Sequence, residues 1–394
     1  MDVFERQIAI IRKESHYVSA VFEGQVLDNV IVDEADSSSL RIGDIRVGRV
    51  SHIVQNINAA FVEVQKGVMC YLPLSEAGGE TIVQGKELPV QIKKAAVKSK
   101  QAVATGRLQF AGQYAVITST GGERMISRKI TKESIRRHLK ELLTSFSDSS
   151  LGILLRTSCE TASDECILEE CRKLIQEAET VFERAKTRTC FSGIYRAEME
   201  IIKHIRSVGS DTFDRIITDE PEVYETLREA GVCDEETTVL YKDESYSLDK
   251  LLGISSKLKK ALAKHVWLKS GASLVIEPTE ALTVIDVNTE KAIQGKRNRE
   301  TTFFKINREA AREAARQIRI RNISGIILID FIGMKDREHV RALLDELQDE
   351  CQKDSVRTTV VDITKLGLVE LTRMKIRKPL WEVMKSQREG EITQ

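Results

Sequence analysis

Proline is scarce in this chain of 394 residues, with five, and glycine numbers only 22. That excludes the Pro- and Gly-rich compositions that cannot build a packed core. No stretch approaches the run of about 20 apolar residues that a membrane span needs. The opening residues, MDVFERQIAIIRKE, mix charges into their apolar positions, so the sequence lacks the basic start, apolar core and small-residue cleavage site of a secretory leader. Net charge is also missing: Lys plus Arg and Asp plus Glu both number 60. Net charge therefore gives no general electrostatic argument for nucleic acid or membrane, and any polyanion site must be local. Cysteines are few: Cys70, Cys159, Cys166, Cys171, Cys190, Cys233 and Cys351, an odd number and widely scattered. Such usage predicts reduced thiols and a cytoplasmic protein.

What is present is a hydrophobic fraction of 41% beside a charged fraction of 30%, enough for roughly two to four compact units. Arg6 to Glu34 alternates short strand-like runs with polar turns and predicts a small β-meander. From Arg41 to about Arg107, short strands broken by Gly, Asn and Lys-Gly turns predict a compact β-barrel. Within it, Phe61 in AAFVEV and Tyr71 in MCYLP lie on successive strands. Either these rings fill the barrel or, with a basic residue such as Lys100, they form a platform on which single-stranded bases stack. The order Gly48, Phe61, then Tyr71-Leu72-Pro73 resembles an OB-fold of the ribosomal S1 type, which favours RNA contact.

Beyond the barrel, FAGQYAVITS is strand-like, and TKESIRRHLKELLTSF is helical, with Ile135, Leu139, Leu142 and Leu143 at helical spacing and an N-cap region from Thr131 to Ser134. LGILLRTS is a buried strand that ends in Arg156-Thr157, followed by the long amphipathic helix DECILEECRKLIQEAETVFERAKTR. An arginine and a hydroxyl at a strand's end can hold a phosphate, or be ordinary surface groups. Residues 190–270 predict mixed α/β structure, with GIYRAEMEIIKHIRS helical, FDRIITDE a strand, and PEVYETLREA and SLDKLLGISSKLKKALAKHVWL helical. No catalytic constellation stands out there, and a scaffold role is expected.

The C-terminal third is the most informative. GASLVIEPTEALTVIDVN predicts two apolar strands, REAAREAARQIRIRN an Ala-rich helix, SGIILIDFIGM another apolar strand, REHVRALLDELQDECQKD a helix, and RTTVVDITKLGLVELTRMKIRK a further strand and helix. This alternation predicts a sheet with helices packed on it. Asp286, Asp330 and Asp362 each fall near a strand's carboxyl end, where such sheets place their functional crevice. Each aspartate could cap a helix or pair with an arginine. Together they could hold a hard cation, since magnesium is typically bound by one or two carboxylates plus water and phosphate. Two basic stretches, 91–107 and 290–322, are either solvated faces or RNA surfaces. In the second, Arg308, Arg312, Arg316 and Arg319 share a helical flank while Ala310, Ala311, Ala314, Ala315 and Ile318 pack inward. Some of these arginines are expected to pair with Glu309 and Glu313, and the rest to bind a phosphodiester backbone beside the metal.

The run EALTVIDVN through IILIDFIGM resembles the catalytic segment of the ribonuclease E/G family of bacterial endoribonucleases, because the Glu-Ala-Leu-Thr-x-Ile-Asp-x-Asn and Ile-Asp-Phe-Ile-x-Met signatures recur in order. Weaker similarity extends from the first meander to TKLGLVELTRMKIRKPL. The resemblance implies a multi-domain α/β (α+β) architecture. Its parts would be an RNase H-like scaffold split over 1–37 and 200–270, an S1-type OB-fold over 38–107, a 5′-end sensor over 108–199, a DNase I-like catalytic subdomain over 271–385, and a tail, 386–394.

It further implies that Asp286 and Asp330 bind a catalytic magnesium, with manganese as a substitute, and that Asn288 orients the scissile phosphate. Hydrolysis of single-stranded RNA, in RNA processing and decay, would leave 5′-phosphate and 3′-hydroxyl ends and be stimulated by a 5′-monophosphate. Gly112, Val116, Arg156, Thr157 and Arg357 match the pocket for that monophosphate, and Phe61, Tyr71 and Lys100 match RNA-contacting positions. One of these is Tyr where Phe is common, and stacking survives that change. Gly333 stands where many relatives have a second acid, and Asp362 where some have histidine. The chain has no CxxC motif, through which many relatives share a zinc, so zinc and the family's usual dimer or tetramer are not implied, and a homo-oligomer is left open. Two alternatives remain: an RNA-binding regulatory or scaffold protein with weak or no nuclease activity, and DNA as the substrate.

Overall fold

The structure, a computed structural model, describes residues 5–36, 39–79, 81–94, 96, 101–209, 212–232, 236–290 and 299–384. The chain divides into two compact units, Met1–Ser37 with Met199–Gln394, and Ser38–Glu198, and it mixes α and β structure throughout. Among the described residues no helix is long and apolar enough to cross a membrane. The six described cysteines are free thiols. Burial pushes those of Cys171 and Cys351 up to about 12, which marks them as inert packing groups.

The first unit contains two sheets. One has the order Thr238–Leu240, Arg215–Thr218, Arg6–Lys13, His16–Glu23, Val26–Glu34. Its last three strands form an antiparallel meander, and the first two add in parallel. Ile8, Ile10 and Val21 pack on one side with helix residues Ile201, Ile205 and Leu227, while Ala9, Val18 and Phe22 pack on the other with Leu248, Ile254 and Leu258. Coverage of both faces explains why His16–Glu23 is buried along nearly its whole length. The helix Glu200–Val208 begins on Asp33, whose buried carboxylate accepts from Glu200 N at 2.6 Å and Ile201 N at 3.2 Å, which satisfies two donors the helix leaves unpaired.

The second sheet has the order His265–Trp267, Ser273–Pro278, Leu282–Asn288, Gly325–Asp330, Val369–Arg373, Thr358–Ile363. Leu282–Asn288 and Gly325–Asp330 run parallel and the other pairs antiparallel. A parallel pair needs a crossover, and the helix Arg299–Ile320 lies in that connection. This helix and Arg337–Gln352 cover one face: Ile285, Val287, Ile327 and Ile329 meet Ile306, Ala310, Ala314, Ile318, Leu343 and Leu347. The small alanine side chains let helix and sheet approach closely. Alternation along each strand then puts Val284, Asp286 and Asn288, with Leu328 and Asp330, on the opposite face.

Three elements differ from the sequence expectation, the first being Gly193–Tyr195, expected as the start of a helix, which pairs instead with Ile45–Val54 as a strand. The segment after Gly367 is the strand Val369–Arg373, folded back on Thr358–Ile363, where a helix was expected. Its alternation of buried Val369, Leu371 and Arg373 with Glu370 and Thr372 has period two, and Gly367 turns the chain at φ +90. His265–Trp267, expected as the end of a helix, pairs instead with Ser273–Pro278 as an edge strand.

In the second unit, Ile45–Val54, Ala59–Gln65, Val68–Pro73, Ala102–Thr105 and Glu87–Lys94 follow one another in the sheet, and the last pairs with the first. The result is a closed, OB-like barrel of five strands, filled by Val50, Ala60, Val62, Val64, Cys70, Leu72, Val90 and Ile92. Gly48 is required by this closure, because a Cβ there would stand 2.5 Å from a Val62 methyl. The unit also holds a four-stranded sheet, Arg124–Ile126, Gly152–Leu155, Ala115–Thr118, Gln109–Ala111. Packed against it is the helix Asp164–Thr187, whose N-cap Ser163 accepts from Cys166 N.

Candidate active site

Asp286 and Asp330 are Cα partners on neighbouring parallel strands. Strands lie about 4.8 Å apart and opposed residues project from the same face, so the two carboxylates stand side by side. Asp286 is half-buried and Asp330 exposed. Asn288, two residues further along the same strand, donates from Nδ2 to Asp286 Oδ2 at 2.8 Å. Two like charges this close repel each other, and nothing on the Arg-rich helix neutralises them, because that helix packs against the other face.

The chain leaving Asp330 is held from below. Asn307, fully buried in the helix Arg299–Ile320, accepts from Ile332 N at 3.0 Å and donates to Ile332 O at 2.7 Å. Its amide thereby substitutes for a neighbouring strand. Glu300 accepts from Lys335 N at 2.8 Å and Asp336 N at 3.0 Å. These positioning contacts escaped the sequence reading, in which Asn307 is one polar residue in an Ala-rich helix.

Asp362 does not join the pair. Its Cα partner is Glu370, whose partner is Leu328, so it lies two strands from Asp330, and its carboxylate accepts from Ile363 N at 2.7 Å. Gly333 borders open space, with no atom within 4 Å of where a Cβ would be. Among the described residues no group of three or more His, Cys, Asp or Glu is arranged to hold a metal. The candidate donors, the carboxylates of Asp286 and Asp330, are hard oxygen ligands. That fits a small divalent cation such as magnesium, which keeps several waters, or manganese, rather than zinc.

The four helix arginines, some expected to pair with Glu309 and Glu313 and the rest to follow the RNA backbone, are all engaged within the protein. Arg308 and Arg312 both pair with Glu346 of the next helix, the latter at 2.5 Å. Arg316 pairs with Glu313 at 2.6 Å and donates to Leu27 O. Arg319 is buried and pairs with Asp28 at 2.6 Å, joining the helix to the first meander. Glu309 accepts instead from Lys269 N at 2.7 Å. The Arg316–Glu313 pair lies at the helical spacing expected from the sequence, whereas packing of helix on helix and on meander brings acids to Arg308, Arg312 and Arg319, which no spacing rule along one helix can foresee.

On the barrel, His52, Phe61 and Tyr71 are register partners across three strands. The interior is filled by Val62 and Leu72 and their neighbours, so the half-buried Phe61 and Tyr71 lie on the outer face. His52 stacks on Phe61 with centroids 4.6 Å apart and planes 15° from parallel, and Tyr71 meets Phe61 edge-on at 6.0 Å. His52 is exposed and extends the aromatic row. In sequence it is a lone histidine with no motif around it. Lys100 lies outside the described residues.

Gly112 and Arg156 are brought together on the other sheet of this unit: Arg156 Nη1 donates to Gly112 O at 2.5 Å. Thr157 follows, exposed, at the start of a short turn, and Val116 pairs with Leu154 beside them. The turn they border is fixed on both sides. Its carbonyls accept from Arg156, Ser158 and Cys159. Its amides at Gln113, Tyr114 and Ala115 donate to Glu170 at 2.8, 2.6 and 2.9 Å. Gly112 is glycine because a Cβ there would lie 2.4 Å from the Glu170 carboxylate. Glu170 itself was not foreseen, being one of many acids on an amphipathic helix. Arg357 belongs to the first unit, exposed just before the Thr358–Ile363 strand, where its carbonyl accepts from Met374 N at 3.1 Å.

Comparison with known proteins adds a family to this geometry. The model of the Ribonuclease E/G family matches residues 109–376. Ribonuclease E of Synechocystis sp. is 31% identical over 395 residues, covering 95% of this chain and 58% of that protein. Ribonuclease G of Salmonella typhimurium is 31% identical over 93% of this chain and 79% of its own length. Ribonuclease G of Haemophilus influenzae is 29% identical over 98% and 82%. The chain thus spans little more than half of the Synechocystis relative.

Proposed function

The chain belongs to the ribonuclease E/G family, a family of endoribonucleases, and on that premise we propose that it cleaves single-stranded RNA internally, by hydrolysis, at Asp286, Asp330 and Asn288. The observation that carries this reading is the register pairing of the two aspartates on a face free of their own helices' arginines. A cation bound between such carboxylates relieves their repulsion. A divalent cation held by Asp286 and Asp330, magnesium or manganese, would supply an activated water and offset charge developing on the phosphate. Asn288 keeps Asp286 oriented through its amide and offers polar contact to the scissile phosphate. The products would be a 5′-phosphate and a 3′-hydroxyl.

The same reading gives His52, Phe61 and Tyr71 the task of stacking bases, with Lys100 adding charge. Gly112, Val116, Arg156 and Thr157 would receive a 5′-monophosphate and so stimulate cleavage. The meander with its two parallel additions supports an RNase H-like scaffold over 1–37 and 200–270, and the barrel supports an S1-type domain over 38–107. Residues 108–199 would form the 5′-end sensor, and the six-stranded sheet with its helices a DNase I-like catalytic part over 271–385. The protein would act in cytoplasmic RNA processing and decay.

The test is incubation of a 5′-monophosphorylated single-stranded RNA with the protein in magnesium and then in EDTA. Cleavage is expected with magnesium and lost in EDTA and in the Asp286→Asn, Asp330→Asn double variant. Cleavage that persists in the double variant would overturn the mechanism. RNA binding without cleavage by the wild type would make the protein a binder, and cleavage of a matched DNA would overturn the assignment of RNA.

A further inference from the structure

We propose that His265 and Trp267 form a nucleobase-stacking subsite for RNA beside the Asp286–Asp330 pair, a proposal that rests on the endoribonuclease reading. His265, Val275, Asp286 and Asp330 form one row of register partners across four strands, and Trp267, Ser273 and Asn288 form the next row. Register partners share a face, so both rings stand on the side of the sheet that carries the candidate catalytic groups. Trp267 is two strand spacings from Asn288, about 10 Å, within reach of a nucleotide flanking the scissile phosphate. The residues between them, Ser273 and Val275, are small, the first fully buried and the second half-buried.

Trp267 is 66% exposed, an unusual position for an indole. The other tryptophan, Trp381, packs against the core of the same sheet. His265 is exposed as well, and among the described residues neither ring stacks on another aromatic. Alternate residues of a strand are about 6.7 Å apart. That is about twice the 3.4 Å rise between stacked bases, so the spacing admits one base between imidazole and indole. Base–aromatic stacking tolerates any base and leaves the phosphate free for the acids. An edge-strand aromatic could instead meet a second copy of this chain, but the alignment of both rows with the acids favours RNA.

Tryptophan fluorescence tests the proposal without turnover. In EDTA, with Trp381→Phe leaving Trp267 as the single tryptophan, a single-stranded oligoribonucleotide should quench emission and an abasic oligomer of equal length should not. Should Trp381→Phe impair folding, the difference in quenching between the unmodified protein and Trp267→Phe provides the same signal. With magnesium, Trp267→Ala should raise KM about fivefold or more and Trp267→Phe restore it, with kcat changing less. Equal quenching by the abasic oligomer, or an unchanged KM in Trp267→Ala while the wild type cleaves, would overturn the subsite. So would a mass in solution that falls on Trp267→Ala, which would make this edge an interface between copies. If the wild type fails to cleave, the endoribonuclease reading falls, and base-dependent quenching still decides the subsite.

Discussion

Asp286 and Asp330 stand directly opposite each other on two parallel strands, with Asn288 hydrogen-bonded to the first at 2.8 Å. Because each carboxylate faces a like charge, replacing one by its amide should abolish function without harming the fold. Asp286→Asn and Asp330→Asn are each expected to lower kcat by about 100-fold or more, roughly 3 kcal/mol of transition-state stabilisation. Thermal melting in EDTA should show no loss of stability, and a large fall in Tm would mean the carboxylates are structural.

On the barrel, the row His52, Phe61, Tyr71 predicts graded losses of RNA affinity. Phe61→Ala and Tyr71→Ala should each cost about 1–3 kcal/mol in binding a single-stranded RNA, measured in EDTA. His52→Ala should cost less, because its outer face is open to water. Loss of affinity confined to one base identity would contradict a stacking platform.

Glu170 and Gly112 should report on the turn beside Arg156. Removing the carboxylate in Glu170→Ala strands three backbone amides and should destabilise the protein by about 1–3 kcal/mol. Both it and Gly112→Ala should also reduce the preference for a 5′-monophosphate over a 5′-hydroxyl, as Arg156→Ala should. Equal losses on both substrates, or on RNA without an accessible end, would make these residues purely structural.

The helix arginines give a negative prediction. Arg312→Ala should leave RNA affinity and its salt dependence unchanged, because Arg312 already pairs with Glu346. Arg319→Ala should destabilise by about 3–5 kcal/mol, since it leaves Asp28 unpaired in a buried setting. A shallower salt slope in Arg312→Ala would restore this flank to the RNA path.

His204 predicts a pH dependence. Burial first, then Arg377 and Arg6, push its imidazole from 6.5 down to about 4. Below pH 6.5 the unfolded chain takes up a proton that the folded chain refuses, so stability falls with pH until the folded form also protonates near pH 4. Between pH 7 and 5 the wild type should lose about 2 kcal/mol more than His204→Gln in urea unfolding. Parallel losses in the two proteins would remove His204 from the account.

Much of the architecture was legible because it is written in periodicity. The alternation of Val284, Asp286 and Asn288 with Ile285 and Val287 announces a strand with one apolar face, and the spacing of Ala310, Ala311, Ala314 and Ala315 announces a helix packed close to a sheet. VELTR carries the same period of two, yet its short apolar run suits a helix as well until the partner strand Thr358–Ile363 is known. The sequence by itself determined which residue types are available: two strand-end aspartates, a neighbouring asparagine, aromatics on a barrel, an arginine after a buried strand. Only the tertiary structure decided which of them meet. Register made Asp286 and Asp330 partners and left Asp362 aside, and helix packing gave Arg308, Arg312 and Arg319 acids of their own. Helix packing likewise recruited Glu170 and Asn307, and strand pairing set His52 against Phe61, contacts between residues distant in the chain that rest on no local pattern.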